Sequence, residues 1–200
     1  MKDLSVVSVL MRALKEQGIE TVIAGGAVRD VVHGRDPKDV DLWVAGSRFS
    51  EEAIYSVEAA LDAVLSGQAE GGIRQHPQFV VYGGYTGVVP TDATLMKRCT
   101  DVIKTELNGL GIDIVWCEKS DGTPVQTVED VIDNFDLSIN QYALGLDGAC
   151  FTRFDGVVRP VRDDFETSRV FYLYQKYPQY DWSPVMQHVA ARLANPMEGF

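Results

Sequence analysis

Residues 4–17 place Val6, Val7, Leu10, Met11 and Leu14 at helical spacing with a charged far side, and Gly18 follows as a C-terminal cap. Thr21 to Ala24 is a short, largely β-branched run ending at Gly25-Gly26, which reads as a buried strand entering a turn. Ala27 to His33 predicts a short helix stopped near Gly34, and Asp36 to Lys38 a turn. Val40 to Val44 alternates with Asp39, Asp41 and Trp43, a strand pattern. Ser50 as N-cap and Glu51 and Glu52 in the first turn predict a helix over residues 50–65. Residues 66–100, rich in Gly, Gln, Thr and Pro and broken by Phe79 to Tyr82, read as loops plus a hairpin.

Further on, Ile112 to Trp116 is strand-like, Val128 to Ile132 suits a short helix, and Phe135 to Leu144 alternates weakly. Leu146 to Ala149 looks like a turn. Phe165 to Tyr177 has helical apolar spacing with many aromatics, Pro178 interrupts it, and Pro184 to Leu193 predicts a last helix. The pattern shows no repeat and no low-complexity tract.

Composition narrows the class. Apolar residues are 46% and charged residues 24% of the 200, enough for a core, which excludes a disordered or fibrous chain. No apolar run approaches the roughly 18 residues that span a bilayer, so no membrane partner is expected. The N-terminal residues lack a signal-peptide pattern, and Cys99, Cys117 and Cys150 are an odd number without metal spacing; both point to a cytoplasmic location with reduced thiols. The net charge of −11 repels polyanions on average and suits a protein that holds divalent cations through carboxylates.

The chemistry concentrates at Gly25-Gly26-Ala27-Val28-Arg29-Asp30, then Gly34, then Asp39-Val40-Asp41. A Gly-Gly turn between strand and helix lets backbone approach a ligand closely, and the start of a helix suits phosphate. Asp39 and Asp41, two apart on a strand, project from one face and are hard oxygen ligands for Mg²⁺ or Mn²⁺. The bland alternatives are an ordinary turn and a solvated acidic pair. Their combination at this spacing favours the catalytic reading.

This segment resembles the head-domain signature of bacterial-type tRNA nucleotidyltransferases and poly(A) polymerases, of the DNA polymerase β-like superfamily. The resemblance implies an α+β nucleotidyltransferase fold, a mixed sheet flanked by helices. The head would span residues 1–160, with an insertion at about 66–100, and a short helical segment would follow over 161–200. Asn134-Phe135-Asp136-Leu137-Ser138-Ile139-Asn140 is similar to the family's Arg-Arg-Asp-Phe-Thr-Ile-Asn motif beside the nucleotide sugar. Asp113 matches the superfamily's third carboxylate. Asp164-Phe165 to Arg169 is similar to the motif that opens the family's next helical segment.

By this resemblance Asp39, Asp41 and Asp113 are catalytic and hold the metal. Gly25, Gly26, Arg29, Lys38, Asp136 and Asn140 contact the nucleotide. The partners are an NTP and an RNA (tRNA) 3′ end; nothing in the pattern fixes an oligomeric state. The departures are specific. Asn134 and Phe135 stand where the family has two arginines, so a triphosphate contact is missing unless Arg29, Lys38 or Arg153 supplies it. The sequence closes at Phe200, before the regions with which the family grips tRNA.

Single residues keep two readings. Arg29 is either a phosphate contact or an ion-pair partner of Asp30 or Asp41. Asp113 is either the third carboxylate or a solvent-facing strand residue. His33 is a helix cap or a phosphate contact, and His76 and His188 are surface or structural. Arg74, Lys97, Arg98 and Lys104 are a scattered surface or a local patch for RNA. Phe171, Tyr172, Tyr174, Tyr177, Tyr180 and Trp182 are core aromatics or a base-stacking platform. The function classes are therefore an NMP-transferring enzyme, acting on RNA or on a protein or small molecule, and a nucleotide-binding module without turnover.

Overall fold

Helix α1, Ser5–Glu16, forms because Val6, Val7, Leu10, Met11, Ala13 and Leu14 give it one continuous apolar face, all of it buried. In this computed structural model, which describes residues 4–68, 80–83, 99–119 and 121–194, that face packs on a mixed sheet. The chain leaves α1 through Gly18, whose φ of +81° suits glycine, and enters β1, Glu20–Ala24. A second glycine turn leads into α2, Gly26–Val32, then β2, Asp39–Ala45, and the long helix α3, Glu51–Gln68. Strands β3, Val80–Gly83, β4, Cys99–Leu107, and β5, Leu110–Cys117, follow. After them come α4, Val128–Ile132, a 3₁₀ turn at Ser138–Asn140, β6, Tyr142–Leu144, and β7, Cys150–Thr152. Two helices end the described chain: α5, Thr167–Lys176, and α6, Ser183–Ala194.

The seven strands lie in the order β3-β4-β5-β2-β1-β6-β7. Among the described strands only β2 and β5 pair in parallel; the other neighbours are antiparallel. The α+β fold with a mixed sheet is therefore as the resemblance implied.

The sheet has two unlike faces because side chains alternate along each strand. Val40, Leu42 and Val44 of β2, Ile112, Ile114 and Trp116 of β5, and Ile103 and Leu107 of β4 join α1 and α3 in one core. The opposite face carries Trp43, Val115, Cys117 and Val102, packed with Val131, Ile132 and Phe135. A third cluster gathers Leu137, Ile139 and Val158 with Phe165, Val170, Leu173, Tyr177, Trp182, Val185 and Val189. Helices α5 and α6 are thus fastened to the segment that follows α4. No helix among the described residues is long and apolar enough to cross a membrane.

Most predicted elements appear within a residue or two of their expected ends. The difference lies around residues 66–100. Helix α3 runs on to Gln68, and β4 starts at Cys99, forming with β5 a hairpin turned at Asn108 and Gly109. Arg74, His76, Lys97 and Arg98 lie outside the described residues. Phe135 to Leu144 is not one strand: it is divided into the 3₁₀ turn and β6.

Candidate active site

The parallel register of β2 on β5 sets Asp41 directly beside Asp113 and Asp39 beside Gly111. Residues paired across adjacent strands share a face, so Asp39, Asp41 and Asp113 all project from the same side of the sheet. Trp43 and Val115 continue that face into the apolar cluster, which leaves the carboxylates at its open end. Burial, then the charges of Asp113 and Asp39, push the Asp41 carboxyl up to about 7; Lys104 and Arg169 pull the other way. Lys104, opposite Asp113 in the antiparallel register of β4, forms an ion pair with Asp113 Oδ2.

Among the described residues no group of three or more acidic, histidine or cysteine side chains is gathered to hold a metal ion. The pair Asp39 and Asp41 does fit Mg²⁺. That ion is commonly held by one or two carboxylates, with substrate phosphates and waters completing its shell.

Gly25 turns the chain from β1 into α2. Its φ of +83° is unfavourable for any L side chain, and a Cβ there would lie 2.8 Å from two ring carbons of Phe135. Its N–H donates to the Tyr142 carbonyl at 2.8 Å, tying the turn to β6. Phe135 is 2% exposed, with its ring edge-on to Trp43 at 5.2 Å. The two positions where the resembled family has arginines are therefore built into the interior. Asn134 is 4% exposed, donates to the Asp130 carbonyl and offers its own carbonyl to Arg162 at 2.8 Å.

Arg29 is buried at 5% exposure, and its guanidinium is bonded on three sides. Nε donates to Asp30 Oδ1 at 3.0 Å and to the Tyr177 hydroxyl at 3.2 Å, NH2 to Asp30 Oδ1 at 2.8 Å, and NH1 to Asn140 Oδ1. Asp30 also takes Lys176 at 2.6 Å and the Tyr177 hydroxyl. Burial pushes the Asp30 carboxyl up, but Lys176, Tyr177 and Arg29 outweigh it and hold it below the usual range. Burial and Asp30 together push the Tyr177 phenol up to about 12. The ion-pair reading of Arg29 is realised, with Asp30 as partner.

Asp136 and Asn140 stand on the inner side of this network. Asn140 Nδ2 donates to Asp136 Oδ1 at 3.0 Å, and Asp136 Oδ2 pairs with Arg169 Nε at 3.1 Å. They connect Arg29 on α2 with Arg169 on α5. Between these helices opens a cleft of about 400 Å³, lined among others by Gly26, Arg29, Asp39, Ser168, Arg169 and Tyr172. The structure thus brings Gly26, Arg29 and Asp39 to one cavity and sets Asp136 and Asn140 behind it. Lys38 is exposed just before β2. Arg153 pairs with Asp133 at 2.6 Å on the surface.

Two residues not among the expected site residues stand here. Arg169 lies at the end of the Asp164–Arg169 similarity, which was its signal. In sequence Lys104 reads only as scattered surface or part of a patch for RNA, because its pairing with Asp113 depends on the register of an unpredicted strand. His33 caps α2, its Nδ1–H donating to the Arg29 carbonyl at 2.6 Å, and His188 is exposed. Tyr177 and Trp182 are core, whereas Phe171, Tyr172 and Tyr174 are 45%, 60% and 43% exposed.

No protein-family model matches the chain, and no curated protein matches it by sequence. Solved structures do match by shape. A CCA-adding enzyme in complex with ATP superposes with a TM-score of 0.58 at 17% identity, covering 94% of this chain and 42% of the other. An apo form of a CCA-adding enzyme gives 0.57 at 17% identity, over 96% and 42%. The Bacillus stearothermophilus CCA-adding enzyme in complex with CTP gives 0.51 at 21% identity, over 82% and 35%. The chain spans about two fifths of the length of these structures. Its fold is the nucleotidyltransferase fold, shared with the CCA-adding enzymes over the part of them that it spans.

Proposed function

We propose that this chain is a Mg²⁺-dependent nucleotidyltransferase that moves NMP from an NTP to an acceptor hydroxyl, the 3′ end of an RNA, with tRNA foremost. The observation that carries the reading is the carboxylate row. Asp41 on β2 stands beside Asp113 in register on β5, and Asp39, on the same face of β2, lines a cleft that also holds Gly26, Arg29 and Arg169. The CCA-adding enzymes that share the fold are complexes with ATP and CTP in two of the three structures above, which supports an NTP as donor.

In this reading Asp39 and Asp41 hold the divalent ion, which when bound screens the phosphates and draws charge from the leaving group. Gly26 leaves room for the phosphates against backbone, and the Arg169 guanidinium faces the same cleft. Arg29 fixes Asn140, and Arg169 fixes Asp136, so the sugar-side motif is held from both helices. The acceptor oxygen bonds to the α-phosphorus as the bond from that phosphorus to the α–β bridging oxygen breaks. Pyrophosphate leaves, and the hydroxyl proton passes to a site carboxylate. The protein's part is positioning and charge neutralisation. With tRNA as acceptor, the place of action is the cytoplasm.

A nucleotide-binding module without turnover is favoured by one observation: Phe135 and Asn134 are interior residues, so that segment offers no guanidinium to a triphosphate. Incubation with each α-³²P-labelled NTP and Mg²⁺, with total tRNA, a protein lysate or no acceptor, separates the readings. Label on RNA with the wild type, abolished in D39N/D41N, is the expected result. Label on protein would move the acceptor. NTP binding with no incorporation anywhere would favour the module.

A further inference from the structure

Across β4, β5 and β2, one row of register partners reads Lys104, Asp113, Asp41. All three side chains share the face that carries Asp39, at strand spacings of about 4.8 Å. The Lys104 ammonium forms an ion pair with Asp113 Oδ2, at side-chain exposures of 38% and 23%. Of the carboxylates in the row, the one farthest from Asp39 is thus supplied with a cation by the chain itself.

We propose that Lys104 is a positioning residue that stands at Asp113 in place of a divalent cation, so that the site takes its metal through Asp39 and Asp41 alone. The inference rests on the proposed function, in which those two residues hold the ion. With all three carboxylates ionised, as a bound cation favours, the one ammonium leaves two formal negative charges, which one Mg²⁺ neutralises. A second divalent ion bridging Asp113 would meet the ammonium at close range and be repelled. The device needs no movement: the antiparallel register of β4 on β5 fixes it, and that hairpin is closed by a two-residue turn at Asn108 and Gly109.

The test is Mn²⁺ binding to the full chain, read by calorimetry and by the paramagnetic signal of free Mn²⁺, so that no turnover is needed. Lys104→Met removes the charge and keeps the stem; Lys104→Arg keeps the charge. Expected is Mn²⁺ binding that D39N/D41N abolishes, and a K104M variant that binds about tenfold tighter or takes one more ion. K104R should behave as wild type, and K104M/D113N should lose the gain. K104M with wild-type affinity and stoichiometry, or a gain that survives D113N, overturns the role of Lys104 while leaving the proposed function standing. Wild type and D39N/D41N binding Mn²⁺ alike, or no Mn²⁺ on any variant, overturns that function and this inference together. Circular dichroism melts confirm that each variant folds.

Discussion

The ring of Phe135 occupies the space that a side chain at Gly25 would need: two of its carbons lie 2.8 Å from that Cβ position. Phe135, at a position where the resembled family has an arginine, is thus the wedge that holds the turn into α2. Gly25→Ala meets both this contact and a φ of +83°. It should cost about 2–5 kcal/mol in urea denaturation, from backbone strain and overpacking together. In a Phe135→Ala background the same change should cost only the strain, about 1–3 kcal/mol. Equal costs in the two backgrounds would show that the ring is not what excludes the side chain.

Asp30 joins α2 to α5 through Lys176 and Tyr177 while neutralising Arg29. Asp30→Asn leaves a buried guanidinium without its counter-charge and should cost about 3–5 kcal/mol. The pH dependence has a definite sign. The folded carboxyl sits below its ordinary value of 3.8, so its contribution is complete above that pH and is lost as pH falls through the folded value. Wild type and D30N should differ most near neutral pH and converge under acid. A constant gap from pH 7 to pH 2 would contradict the ionic role.

Arg169 pairs with Asp136 behind the cleft and lines the cleft itself. Arg169→Ala should weaken binding of a fluorescent NTP analogue about 10- to 100-fold, the scale of a lost charge-assisted contact to phosphate. Arg169→Lys should recover only part, because an ammonium cannot keep both contacts in fork geometry. A lowered melting temperature with unchanged affinity would assign Arg169 to structure alone.

How far the sequence led is decided by distance along the chain. The carboxylates at 39 and 41 and the strand holding Asp113 follow from local alternation and motif, and β2 and β5 formed where that alternation placed them. Strand β4 was hidden. Val102 and Ile103 adjoin, and Asp101, Lys104 and Glu106 interrupt any apolar period. Lys104, on the face of β4 that meets Asp113, breaks the pattern that would have revealed the strand. The partners of Arg29 were equally out of reach: Asn140 and Tyr177 lie 111 and 148 positions away. Phe135 reads in sequence as a missing arginine, and only packing shows it as a wedge against Gly25 and Trp43.

Asp41 carries the clearest electrostatic signature of the site, a carboxyl raised from 3.8 to about 7 by burial and by Asp113 and Asp39. A raised acid is protonated more readily in the folded than in the unfolded chain. Its stability contribution is therefore complete below about pH 4 and is lost as pH rises through 7. Asp41→Asn removes the ionisation. The variant should be more stable than wild type by up to about 4 kcal/mol at pH 8, and the difference should vanish towards pH 4. Under the proposed function Mg²⁺ binds at Asp39 and Asp41 and favours the ionised form, so millimolar Mg²⁺ should raise the wild-type urea midpoint at pH 8 and leave D41N nearly unchanged. A wild type that gains no more from Mg²⁺ than D41N does would remove Asp41 from the set of metal-holding residues.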